Sequence, residues 1–258
     1  MTSLAPRSRR LALSAWLVAL LLMLPEPARA ASPDTVVLGS DQEAVSVTGI
    51  WMRRIYAEAF RRLGIPIEFA VYPTKRLSTT LDEGGIDGEF VRVHAYAAAH
   101  PNLVRVEEPV FSVQFALFTA NPALRLDRLS DLPATPWVGA LRRGVGVCEN
   151  TLKPLLPSER LSEVTTPEQG LNLLLVQRIA FLCEIDLAMW AVQQSAEYKG
   201  VTGIRVLLPL GEPVPLYPYL HRKRAELATP LAATLKQMKA EGLIERYRRE
   251  AAKEFSAK

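Results

Sequence analysis

Histidine and cysteine are scarce in this chain of 258 residues, which has three of the first (His94, His100, His221) and two of the second (Cys148, Cys183). The histidines are scattered and form neither His-x-His nor His-Glu-x-x-His, so no metal centre is expected. Gly-x-Ser-x-Gly and a glycine-rich phosphate loop are missing as well. That removes the common serine-hydrolase and nucleotide-binding chemistries and leaves no cofactor to expect. A membrane-spanning run is also lacking: Leu11–Leu24, broken only by Ser14, is about 14 residues, short of the roughly 20 that cross a bilayer as a helix.

What flanks that run is informative. Arg7, Arg9 and Arg10 precede it, and Pro25, Pro27 and then Ala28-Arg29-Ala30 follow. Basic, apolar, small is the order of a secretory signal peptide, so residues 1–30 are expected to be removed after Ala30, with an uncleaved anchor as the alternative. No cysteine lies near the cut to carry a lipid. The chain has 31 Lys+Arg against 27 Asp+Glu; without residues 1–30, which hold four arginines and Glu26, the balance is 27 to 26. A mature protein so close to neutral carries no electrostatic footprint for nucleic acid. The expectation is a soluble periplasmic protein of about 228 residues, long enough for one large domain or two lobes.

Beyond residue 30, apolar runs closed by turn residues alternate with segments of helical spacing. "TVVLG" (35–39), "IPIEFAVY" (65–72) and "IDGEFV" read as strands. Between them lie a helix over Ile50–Leu63, stopped by Gly64, and a short one opened by Pro73 and ended by Gly84-Gly85. The second half repeats the scheme. "PWVGALRRGVGVC", "IAFLCEI" and "GIRVLLPL" have strand character, "PEQGLNLLLVQR" and "DLAMWAVQQSAEY" are helical, and Leu227–Glu254 is two helices parted by Gly242. This alternation predicts an α/β protein with a parallel sheet in each of two lobes. Cys148 and Cys183 both end strand-like runs, and in an oxidising compartment one disulfide is expected; two buried free thiols are the alternative.

The stretch "GGIDGEFVR" (84–92) raises a question, because Asp87, Glu89 and Arg92 crowd a strand that also carries Ile86 and Phe90. Unpaired charges do not enter a core cheaply. Either the strand is an exposed edge, or it ends at a polar site that uses the charges.

"YPTKRLSTTLDEGGIDGEF" resembles the first-lobe signature of extracellular solute-binding proteins of the amino-acid (family 3) type: a helix, a glycine turn and a Gly-x-x-Asp strand start. "LNLLLVQRIAFLCEID" is similar to its second-lobe echo, with Gln177 in place of the glycine and Ala180 in place of the aspartate. "LYPYLHRKRAELATPLAATLKQMKAEGLIERY" resembles the family's return strand and C-terminal helices. The resemblance implies a two-lobed type II periplasmic binding protein with residues 121–215 inserted between 31–120 and 216–258, crossings near Ala120 and Pro215, and a ligand cleft between the lobes. It also implies capture of a small polar or charged organic solute, amino-acid-like or an organic acid, by a monomer that delivers it to an ABC transporter permease or a sensor receptor. A periplasmic sensor or accessory module, and a dehydratase of the cyclohexadienyl dehydratase type, are the alternatives.

In that fold the Gly-x-x-Asp strand runs toward the cleft, so it ends at a polar site. Asp87, at its start, is expected to be structural. Arg92 either anchors a carboxylate through its guanidinium fork or braces Glu89. The family's Ser/Thr-x-x-Arg run, whose arginine takes an α-carboxylate, has no match here; "VRVHAYAAAHP" stands in its place, and Arg76 is the second candidate anchor. Ser40 and Asp41 end the first strand, Trp51 and Tyr72 offer aromatic faces, and Phe111 and Ser112 open the strand after "EEPV". Glu184 and Asp186 are the second-lobe acids placed to meet an ammonium group, with a helix cap as the other reading for Asp186.

Overall fold

The computed structural model describes residues 35–257, so the signal-peptide expectation for residues 1–30 lies outside them. Strand β1 (Val36–Ser40) buries Val36 and Leu38 and ends at Ser40. Helix α1 (Val47–Leu63) starts where Ser46 Oγ accepts the Gly49 N–H at 3.0 Å. It stops at Gly64, whose φ of 69° lets the Ile65 N–H reach back to Phe60 O at 3.1 Å. Its inner face, with Ile55, Tyr56 and Phe60, is wholly buried, roughly 1.5–3 kcal/mol for each large side chain. Strand β2 (Ile67–Val71), helix α2 (Thr74–Asp82) and strand β3 (Gly88–Val93) follow, and β1 lies parallel to both β2 and β3.

Strands β4 (Leu103–Arg105), β5 (Phe111–Val113) and β11 (Val214–His221) complete the first sheet, ordered β2-β1-β3-β11-β4 with β5 also paired to β11. The approach of β3 to β11 depends on Gly88, where a Cβ would lie 2.8 Å from the Tyr219 carbonyl oxygen. The second sheet holds β6 (Phe115–Thr119), β7 (Gly139–Arg142), β8 (Leu161–Val164), β9 (Phe181–Ile185) and β10 (Arg205–Pro209), in the order β10-β6-β9-β7-β8. Each sheet is parallel over three strands at one side: β1 with β2 and β3, and β7 with β8 and β9. The strands beside the crossings, β6, β10 and β11, add antiparallel pairs.

Sheet membership puts the crossings at Gln114 and over 210–213, where the sequence reading had them near Ala120 and Pro215. The reason is local: β5 and β6 form one run, "FSVQFALFT", with no turn residue to mark the change of sheet.

Helices α3 (Gly146–Leu152), α4 (Pro167–Leu175) and α5 (Asp186–Gln193) flank the second sheet, and α6 (Ala228–Ala240) and α7 (Leu243–Ser256) pack with α1. The strand expected over "GVGVC" is corrected: β7 ends at Arg142, Gly144 turns the chain at φ 84°, and Cys148 lies on α3. It still bonds Cys183 of β9 across 35 residues, so the expected disulfide forms between a helix and a strand.

The two halves echo each other at backbone level. After α2, the Gly84 and Gly85 N–H groups donate to Leu81 O and Thr80 O; after α4, those of Gln177 and Arg178 donate to Leu174 O and Leu173 O. Gly84 has φ 75°, and Gln177 keeps the left-handed turn at φ 56° although it is not glycine. Three residues on, the Asp87 N–H donates to Val37 O, and the Ala180 N–H to Val138 O.

Candidate ligand cleft

Parallel strands of both sheets end at one place. Ser40 closes β1, Arg92 lies next to the end of β3, Arg142 closes β7 and Ile185 closes β9, and all four line one cavity of about 870 Å³. Cavities outside the carboxyl ends of parallel strands are the usual ligand sites of open α/β sheets.

On the first-sheet side, Glu89 is 2% exposed and forms an ion pair with Arg92. Arg92 Nη2 meets Glu89 Oε1 in that pair, while Arg92 Nε and Glu89 Oε2 are buried without a hydrogen-bond partner. Burial pushes the Glu89 carboxyl up to about 7; Arg92 opposes the shift, and Asp41 and Asp82 add to it. The Arg92 guanidinium lies over the Tyr96 ring, 5.3 Å from its centroid. Arg92 thus pairs with Glu89 and belongs to the wall of the cavity. Asp87 lies behind, accepting the Val37 N–H at 2.8 Å and facing Lys223 Nζ and Arg224 Nε, each at 3.1 Å. Its burial alone would raise the carboxyl; the Val37 N–H and the two cations outweigh it and hold Asp87 below its usual value. Its role is structural, though the carboxylate ties β1 to the chain after β11 and leaves the glycine turn to Lys223, which donates to Gly84 O at 2.6 Å.

The second sheet supplies a matching pair, of which the sequence reading named Glu184 and missed Arg142. Arg142 donates through Nε and Nη2 to the fully buried Glu184 at 2.5 and 3.0 Å, and Glu184 Oε1 also takes the Ile185 N–H at 2.7 Å. The signal was present in "GALRR": an arginine ending a strand, placed as Arg92 is on β3. Thr48, Ser78, Tyr96 and Glu168 are further lining residues that the sequence did not single out.

The other expected residues divide. Ser40 and Asp41 line the cavity; Ser40 Oγ accepts the Gln42 N–H at 2.9 Å, and Asp41 accepts from Gln42 Nε2 and Thr74 Oγ1 at 3.0 and 3.1 Å. Arg76 is exposed and lies over Tyr72 at 5.5 Å, and neither lines the cavity. Trp51 belongs to the core: it is 1% exposed, stacks on Phe111 at 4.6 Å and donates to Ile244 O at 2.9 Å. Phe111, Ser112 and Asp186 border a separate cavity of about 350 Å³ beside α7. Asp186 accepts the N–H groups of Gln114 and Leu187 at 3.0 and 2.7 Å, which pins the crossing strand to the start of α5.

No protein-family model matches the chain. A Shewanella oneidensis protein described as uncharacterized is 34% identical over 207 residues, 80% of this chain and 77% of that one. Among solved structures, the L-cystine solute receptor of Neisseria gonorrhoeae in its unliganded open conformation superposes with a TM-score of 0.67 at 14% identity, covering 84% of this chain and 91% of that one. An ancestral cationic amino acid solute-binding protein does so with a TM-score of 0.65 at 18% identity, covering 84% and 94%. At these identities the likeness is one of fold. It is the two-lobed type II periplasmic binding architecture, each lobe a sheet flanked by helices, with a cleft between them.

Proposed function

The chain belongs to one family with the Shewanella oneidensis protein and has the fold of the type II periplasmic binding proteins, and on that premise we propose that it is a family 3-type solute-binding protein. It is exported, works as a monomer in the periplasm, and captures a small charged organic solute for an ABC transporter. The two solved structures described above are named as an L-cystine solute receptor and a cationic amino acid solute-binding protein, which supports binding over catalysis. The lobes are drawn at residues 35–113 with 214–257, and at 115–210, following the sheets. Hinge closure over the cavity lets ligand binding select the closed form that a permease recognises.

Arg92 carries this reading: its guanidinium, paired with the buried Glu89, belongs to the wall of a cavity of about 870 Å³. A carboxylate is the group that a guanidinium fork takes best. Thermal unfolding against a panel of amino acids and organic acids tests it. A ligand at a hundred times its Kd adds about 2.7 kcal/mol, a rise of roughly 5–10 °C for a chain of this size. Arg92→Ala should then lower affinity for the hit at least about thirtyfold. Arg125→Ala, exposed and outside the cavity, should leave it unchanged. A panel without a hit removes the solute-binding reading, and unchanged affinity in Arg92→Ala removes the anchor.

A further inference from the structure

Helix α5 gives its two faces to different lobes. Met189 and Val192 join the core beside its own sheet, with Leu171, Leu174 and Leu182. Leu187, Trp190 and Ala191 instead pack against the core of the first lobe, and the carbonyl of Gln194 accepts the Ser256 hydroxyl of α7 at 3.2 Å. Positions 187, 190, 191 and 194 are spaced i, i+3, i+4 and i+7, which is one stripe along a helix. The middle of this contact is a charged stack. The Arg248 guanidinium of α7 lies 4.5 Å from the Trp190 ring centroid and 5.5 Å from that of Trp51, and the two indoles meet edge to face at 5.9 Å. Trp51 and Arg248 stand on first-lobe helices and Trp190 on a second-lobe helix, so the stack joins the lobes. Leu187 and Ala191 of α5 and Phe255 of α7 also line the main cavity, whereas Trp190 and Arg248 are not in its wall. The contact therefore lies on the cleft side of the crossings, and opening the cleft pulls α5 away from α7.

We propose that the α5–α7 contact, with Arg248 set against Trp190 and Trp51, is an interlobe latch that holds the cleft near closure before any solute arrives. A form already populated costs a ligand less to select, so these residues tune affinity from outside the cavity. The latch goes beyond the solute-binding reading, and its test uses no ligand. Cys148 and Cys183 are bonded to each other, so nitroxide labels can be placed on Lys75→Cys in the first lobe and Lys199→Cys in the second, both exposed positions. Pulsed dipolar spectroscopy of the ligand-free protein should give mainly the shorter separation. Arg248→Met keeps most of the stem and removes the cation; Trp190→Ala removes the ring. Each should raise the ratio of long to short separations about fivefold or more. Arg249→Ala, exposed on the same helix, should leave the ratio as it is. A stack that only stabilises the fold would lower Tm in both variants and leave the distances as in wild type, and that result overturns the latch. A wild-type distribution already dominated by long separations overturns it as well.

Discussion

Glu89→Gln should make the protein more stable, and more so as the pH rises. The carboxyl is 2% exposed, and burial lifts it from 4.5 to about 7 despite the Arg92 contact. A tenfold change in a proton's binding constant is worth about 1.4 kcal/mol, so ionising Glu89 in the folded protein costs about 3 kcal/mol more than in the unfolded chain. The sign follows from proton counting. The folded state holds the proton between pH 4.5 and about 7 while the unfolded state releases it, so this group's favourable contribution is complete below 4.5 and is lost as pH rises through about 7. Glutamine keeps the shape of the protonated acid at every pH. Wild type and Glu89→Gln should therefore match near pH 4.5, and the variant should gain up to about 3 kcal/mol by pH 8.5. For a domain of this length that is roughly 5–10 °C in Tm. Reversible thermal or urea unfolding of both proteins at pH 5, 7 and 8.5 measures the difference. A gap that does not change with pH, or a variant less stable at pH 8.5, would show that Glu89 stays ionised and that its pair with Arg92 is net stabilising, and the reasoning would fail.

Other outcomes follow from the same structure. An anion on Arg92 adds a second negative charge beside Glu89, so binding should draw in a proton; calorimetry should show affinity rising as pH falls from 8.5 to about 7, and no such trend in Glu89→Gln. Gln177→Gly should stabilise by about 0.5–1 kcal/mol, because relief of the left-handed cost of roughly 1–2 kcal/mol exceeds the extra entropy of an unfolded glycine; urea midpoints read it. Free-thiol labelling of the denatured, unreduced protein should find none, and reduction should cost about 3–4 kcal/mol for a loop of 35 residues, unless the reduced chain keeps residual structure.

The order of elements was legible because the signals are local. Gly64 ends α1 in the left-handed conformation, Pro167 opens α4 behind the Thr166 cap, and Gly242 parts the last two helices. What the sequence hid was pairing at a distance. The change of sheet at Gln114 leaves no mark, since β5 and β6 differ only in which neighbours accept their hydrogen bonds. Aromatic residues misled for a related reason: Trp51 was a plausible stacking face by type, but helical spacing alone does not show that Phe111 and Ile244 close over it. Arg92 and Glu89, which line the cavity, stand out in the sequence because charges inside a strand need an explanation. Arg142 sat in a run read as continuous strand through Cys148, so its place at a strand end was invisible until β7 was seen to stop there.

The departures from the family pattern form one consistent set. Where the Ser/Thr-x-x-Arg run is missing, an arginine on β3 faces the cavity instead, and a buried glutamate stands beside it. Where a second-lobe acid would meet an ammonium group, Glu184 is enclosed by Arg142, and Asp186 is turned toward Gln114 and the other cavity. Each lobe thus brings one arginine and one buried acid to the cleft. With Glu89 protonated below about pH 7, the first-lobe pair is net positive before any ligand arrives. The pairs differ in hydrogen bonding: Glu184 has three donors from its own lobe, whereas Arg92 Nε and Glu89 Oε2 are both left without a partner. A buried donor without an acceptor costs about 1–3 kcal/mol. The first-lobe pair, not the second, is therefore where polar groups at the cleft remain without partners.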